Sequence, residues 1–164
     1  MKKTSGILMG LLMTSSLAFS AEVMKPSYSL LNAKDIKWTA APAAFPAGAR
    51  MAVLQGNPEK AGILTVRMML PANYRIPVHS HSQTEAITVI SGRAEFGFGK
   101  AFNTAGLQVL TAGGFLLLPG KTYHYLRTKT PAVVQITTQG PFDLNVLDAD
   151  DQNRLEDTDE SAVD

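Results

Sequence analysis

Four side chains in this 164-residue sequence have the types and spacing to hold one divalent metal ion. His79, His81 and Glu85 read His-x-His-x-x-x-Glu, and Gly92 follows after six more residues. His124 stands five residues after Pro119, in Pro-Gly-Lys-Thr-Tyr-His. These are all three histidines of the chain, so no imidazole is left for another duty. Three nitrogens and one carboxylate oxygen suit Fe(II), Mn(II), Ni(II), Cu(II) or Zn(II), and the donor set does not choose among them. In octahedral geometry, four protein ligands leave two adjacent positions for water, substrate or dioxygen. An ion held in this way can polarise a carbonyl or enolate.

Such a site constrains the elements around it. Residues two apart in a strand point to the same face, so His79 and His81 can aim at one point from one strand. A tight turn through Ser82, Gln83 and Thr84 is expected to bring Glu85 back on the neighbouring strand, with Gln83 at the surface or just behind the ligands. Glu85 to Ser91 reads as that strand, and Gly92 permits the next turn. His124 comes from far along the chain, so the site requires a closed or folded-over sheet.

The stretch from His79 to Gly92 resembles the first signature of the cupin superfamily, and Gly113 to His124 resembles the second. The resemblance covers roughly residues 50 to 140. It implies a small β-barrel of jelly-roll type with His79, His81, Glu85 and His124 as metal ligands, Glu85 doubling as a proton acceptor. It also implies a homodimer paired through an exposed sheet. Asn73 stands where the first signature usually has glycine, and asparagine is the next most tolerant residue of left-handed backbone. In the second signature Gly120 follows Pro119 directly, and Lys121 takes the usual glycine position. Thr128 replaces an asparagine often found four residues after the last histidine. Gly140-Pro141-Phe142 and its flanks look like small secreted single-domain cupins.

The rest of the chain agrees with one all-β domain. Candidate strands are Ile36 to Ala40, Met51 to Gln55, Ile63 to Leu70, Ile76 to His81, Glu85 to Ser91 and Arg93 to Phe98. They continue with Leu107 to Thr111, Phe115 to Leu118, Tyr123 to Arg127, Ala132 to Thr138 and Asp143 to Leu147. Gly, Pro, Asn and Ser mark most of the breaks, and no long apolar stripe at helical spacing occurs. Many short strands with such turns indicate a sandwich or barrel. Residues 50 to 147 are therefore read as the barrel, preceded by a first strand and connector over 21 to 49. Ala40 to Gly48 carries two prolines and is expected to be extended.

Both ends differ from this core. Residues 1 to 20 read as a secretory signal, with Lys2 and Lys3 before an apolar run from Ile7 to Phe19. That run is shorter than the roughly 20 residues of a membrane span. Cleavage after Ser20 is expected, giving a periplasmic or secreted protein without a membrane anchor. With no cysteine there is neither a disulfide nor a lipid-attachment thiol. Residues 148 to 164 carry eight acids and one arginine, and their few apolar residues favour a disordered tail. Ala21 to Leu147 holds twelve basic and six acidic residues, an excess of +6, against −7 in the tail. Either the tail folds back over a basic surface, or the barrel attracts anionic ligands, or the charges are simply solvated.

Strand parity predicts the lining of a pocket. With Glu85 inward, Ile87 and Val89 follow. A two-residue turn at Ser91-Gly92 would pair Ile90 with Arg93 outside and send Ala94, Phe96 and Phe98 inward. His124 inward puts Thr122 and Leu126 inside, with Tyr123 and Tyr125 outside. Gln135 is also a lining candidate, although parity leaves its direction, and that of Arg67, open. A mostly apolar wall around one metal suits a small organic ligand. Two readings follow: an oxygenase, isomerase or decarboxylase, or a non-catalytic module that binds or senses metal or a small molecule. Nucleic-acid partners have no support, since no glycine-rich phosphate loop occurs and no basic run is interleaved with aromatics.

Overall fold

A computed structural model describes residues 28–147. The signal segment 1–20 with its cleavage point, and the acidic segment 148–164, lie outside the described residues. The chain divides into two units, Met1–Leu30 and Leu31–Asp164. Of the first, Tyr28–Leu30 are described and are exposed, without regular structure. The second holds the barrel. Among the described residues no helix is long and apolar enough to cross a membrane.

After a 3-10 turn at Ala33–Asp35 come eleven strands. They are β1 Thr39–Ala40, β2 Arg50–Gln55, β3 Gly62–Leu70, β4 Arg75–Ser80, β5 Glu85–Ser91 and β6 Arg93–Phe98. Then follow β7 Gln108–Thr111, β8 Phe115–Leu118, β9 His124–Arg127, β10 Ala132–Gly140 and β11 Asn145–Val146. They form two sheets, ordered β1-β2-β3-β10-β5-β8 and β11-β4-β9-β6-β7. Every pairing is antiparallel. The architecture is the expected all-β jelly roll.

Alternation drives the packing of the two sheets. In β3, Leu64, Val66, Met68 and Leu70 are buried while Thr65, Arg67 and Met69 are half-buried. In β10, Val134 and Ile136 face the same core, which Ile87, Val89, Ala94 and Phe96 complete from β5 and β6. A smaller cluster of Val78, Tyr125 and Leu147 forms on the other side of the second sheet. Phe102 and Leu107 from the loop after β6 pack against it.

Several expectations are corrected here. The first strand is shorter than Ile36 to Ala40, because only Thr39 and Ala40 find partners, at Met51 and Arg50. The Ala40 to Gly48 connector is not simply extended. The Phe45 amide bonds to the Pro42 carbonyl at 2.9 Å, and the resulting turn drives Phe45 into the core. Ser91-Gly92 is no hairpin, since β5 and β6 lie in different sheets. Gly92, at φ 74, carries the chain across, and an added Cβ would strike the Pro131 carbonyl. Tyr125 does face away from the barrel interior, yet it is buried under the Phe102 loop. Its hydroxyl donates to the Asn103 carbonyl at 3.0 Å and accepts from the Asn103 amide at 2.9 Å.

Candidate metal site

The second sheet places two histidines side by side. β4 and β9 pair antiparallel with His79 directly opposite His124. Their rings lie 4.1 Å apart, and His81, just past the end of β4, is 5.0 Å from His79 and 5.6 Å from His124. A bulge in β4 between Ile76 and His79 lets both side chains face inward although they are three residues apart. One ring nitrogen from each of the three histidines lies within 4.8 Å of the others, a grouping able to hold a metal ion.

The tautomers are set by what lies behind each ring. His79 Nδ1 donates to the Pro77 carbonyl at 2.7 Å, and His124 Nδ1 donates to the Thr122 carbonyl at 3.0 Å. His81 Nδ1 donates to the Asp143 carbonyl. With each Nδ1 proton engaged, the Nε2 lone pairs remain free, as metal ligation requires. The Asp143 carboxylate is itself anchored, accepting from the Ser82 amide at 2.9 Å and from the Ser82 hydroxyl. Burial opposes its ionisation, but these bonds and that from Asn145 bring it down to about 2.

Glu85 arrives from the opposite sheet rather than from a strand paired with β4. The inner faces of the two sheets converge, so its carboxylate still meets the imidazoles, at 3.5 Å from His81 Nε2 and 3.7 Å from His124 Nε2. The side chain is fully buried, and Oε1 has no hydrogen-bond partner among the described residues. The orphaned Oε1 beside the His81 lone pair, with Oε2 toward His124, fits a cation held at the three-imidazole group, although the grouping within 4.8 Å consists of the histidines alone. Without a cation the site is held neutral. Burial pushes Glu85 up to about 8, with the Asp143 charge adding to it, and lowers all three imidazoles. His79 falls to about 3 through burial and then His124, and His124 to about 4 through burial.

These shifts set an expected pH response of the metal-free protein. Glu85 is raised on folding, so its contribution is complete below about pH 4.5 and is lost as pH climbs toward 8. The histidines are lowered, so theirs is complete above about pH 6.5 and is lost as pH falls toward 4. Three imidazoles gain stability as pH rises to about 6.5 while one carboxyl loses it, so denaturant unfolding of chelator-treated protein should show greatest stability near pH 6.5, with a decline on either side. In Glu85→Gln the alkaline decline should vanish. An unchanged decline in that variant would contradict the assignment.

A cavity of about 30 Å³ adjoins the cluster. Its wall includes the expected Ile87, Phe96 and Leu126, and also Phe45, Met68, Ile76, Val134, Ile136 and Phe142. Three other lining candidates fall elsewhere. Val89 points inward but is sealed in the core, with 0% exposure. Phe98 has the inward parity, opposite His124, yet ends β6 and is 39% exposed. Gln135 faces away on the outer side of the first sheet, accepting a 2.9 Å bond from Arg67 Nε. Phe45 and Phe142 escaped the sequence reading because both lie outside regular strands. Their rings stack at 6.4 Å, and Phe142 lies flat on His81 at 5.1 Å.

Two antiparallel sheets closed over three inward histidines and a buried glutamate give the chain a cupin-type jelly-roll fold. More narrowly, the chain belongs to the family described as Domain of unknown function (DUF4437), whose model matches residues 21–145. No curated protein sequence matches it. Among solved structures it resembles a proposed acetylacetone dioxygenase from Methylibium petroleiphilum. That likeness has TM-score 0.61 at 22% identity, over 77% of this chain and 85% of the other. A cupin-2 domain from Rhodospirillum rubrum gives TM-score 0.60 at 14% identity, over 84% and 93%. The polyketide cyclase RemF from Streptomyces resistomycificus gives TM-score 0.60 at 14% identity, over 79% and 94%. Likeness at these identities establishes the fold.

Proposed function

We propose that this is an exported metal-dependent cupin in which His79, His81, Glu85 and His124 hold one divalent ion. Beside it a small carbonyl, enolate or phenolic compound is transformed, as in an oxygenase, isomerase or decarboxylase. The observation that carries this reading is the partnerless Glu85 Oε1, 3.5 Å from His81 Nε2, beside a group of three imidazoles whose Nδ1 protons are all engaged. A bound divalent ion would supply Lewis acidity, or a place to bring dioxygen to the substrate. The protein's own groups do the rest. Glu85 can accept a substrate proton on its free oxygen. Ile87, Phe96 and Leu126 fix the orientation of an apolar body, and Phe45 and Phe142 keep bulk water out.

Cavity size limits the substrate. One water needs roughly 10–15 Å³ on the same measure, so about 30 Å³ admits only a few heavy atoms unless Phe142 or Phe45 swings aside. One fold neighbour, described as a proposed acetylacetone dioxygenase, is in keeping with a small oxygenated substrate. The closed cavity also favours a second reading, a module that binds or senses metal or a small acid without turnover. Export rests on residues 1–20, and a mature terminus at Ala21 in a periplasmic or secreted fraction would support it. A homodimer rests on the family resemblance.

The metal-loaded mature protein should consume dioxygen or convert a member of a panel of small carbonyl and phenolic compounds, followed by oxygen electrode and mass spectrometry. Retention of metal and tight binding of small acids, with no turnover across the panel, would select the binding module instead.

A further inference from the structure

On the outer side of the second sheet, away from the metal cluster, lies a cavity of about 530 Å³. Arg75, Phe102, Arg127 and Lys129 form part of its wall. Arg75 opens β4 opposite Arg127 at the end of β9, so both project on the same side. The Arg75 guanidinium lies 3.4 Å over the Phe102 ring, which fixes it without neutralising it. Arg127 Nε donates to Glu95 at 2.8 Å, and Lys129 Nζ stands 3.7 Å from the same carboxylate. The Arg127 bond holds Glu95 below the usual carboxylate range, with Lys129 and Arg93 assisting. Three cations of the wall, Arg75, Arg127 and Lys129, thus stand against the one almost fully buried carboxylate of Glu95, a formal excess of +2.

The chain leaves the described residues heading for this place. β11 runs antiparallel to β4, with Asn145 opposite Ser80 and Val146 opposite His79. The Leu147 amide then bonds to the Val78 carbonyl at 2.9 Å. The same heading passes along β4 toward Arg75, three residues or about 10 Å further at strand spacing. Next in sequence are Asp148, Asp150 and Asp151, the first of eight acids in the remaining seventeen residues.

The geometry points to an internal partner: the acidic segment Asp148–Asp164 docks against the Arg75–Arg127–Lys129 cavity of its own chain. Charge complementarity, direction of exit and length all agree. An external polyanion must then displace this segment before it reaches the cavity.

Carbodiimide coupling of the full mature chain, read by mass spectrometry, tests this. Side-chain carboxylates of 148–164 should couple mainly to Lys129, within one molecule when light and heavy isotopic preparations are mixed. Raising salt from about 50 mM to 1 M should cut the yield several-fold, as screening of exposed charge demands. Arg75→Glu should cut it at least threefold while circular dichroism shows the barrel still folded, since Arg75 is exposed and its contact with Phe102 lies at the surface. Coupling spread evenly over Lys34, Lys37, Lys60, Lys100 and Lys121, coupling only between molecules, or coupling insensitive to both salt and Arg75→Glu would each overturn the proposal.

Discussion

Replacing His124 with alanine is expected to weaken divalent-metal binding beyond 100-fold, because disturbing only the hydrogen bonds behind a ligand already costs roughly 10–100-fold. His124 is the sole nitrogen donor from β9, directly opposite His79, and without it the free lone pairs of His79 and His81 face an incomplete shell. Any turnover that depends on the ion should disappear with it. Calorimetric titration with a divalent ion reads the effect, and circular dichroism checks that the barrel persists. Gln83→Ala is the control, since Gln83 is exposed and its neighbour Ser82 makes the bonds to Asp143. Equal affinity in His124→Ala and the parent would remove His124 from the ligand set.

The largest stability effect is expected at Gly97, which touches no ligand. Gly97 lies opposite Tyr125 across β6 and β9, and the Tyr125 ring covers its backbone. An alanine Cβ would overlap ring carbons Cε2 and Cζ and the hydroxyl oxygen. The ring has nowhere to go, being 1% exposed, packed against Phe102 at 4.7 Å and bonded twice to Asn103. Overpacking together with loss of those bonds is expected to cost about 3 kcal/mol. That corresponds to a fall in Tm of roughly 10 °C for a chain of this size. The double variant Gly97→Ala/Tyr125→Ala should be clearly less unstable than the sum of the two singles, because the clash is then gone. Simple additivity would mean that the ring and the glycine do not constrain each other.

Much of this was legible in the residues because the barrel obeys period two. Alternation placed Glu85, Ile87, Phe96, His124 and Leu126 inward, and most strand limits fall within a residue or two of expectation. Departures from the family pattern were readable as backbone chemistry. Asn73, standing where glycine is usual, adopts φ 55. Lys121 adopts φ 65, while Gly120 is needed because an added Cβ would meet the Ser82 carbonyl. Thr128, in the place of the usual asparagine, donates to the Pro71 carbonyl at 2.7 Å and ties the Tyr74 amide.

What was not legible depends on long-range pairing. Parity along one strand cannot say which sheet it joins, so Glu85 was expected beside β4 and instead faces it across the interior. Nor does alternation foresee the bulge that turns Ile76 and His79 to the same side. Phe45 and Phe142 come from a turn and a segment after β10, where no period applies. Gln135 looked out of place in an apolar run until its partner Arg67, on the adjacent strand, gave it one outside.

The central claim is most directly tested by X-ray absorption combined with elemental analysis of protein taken from its native compartment. One divalent first-row ion per chain should appear, with three imidazole nitrogens and a carboxylate oxygen at about 2.0–2.2 Å. The carboxylate contribution should be lost in Glu85→Gln. Chain preparations without stoichiometric metal, which also fail to take it up on titration, would contradict the account. So would an ion whose shell is unchanged when Glu85 and His124 are replaced.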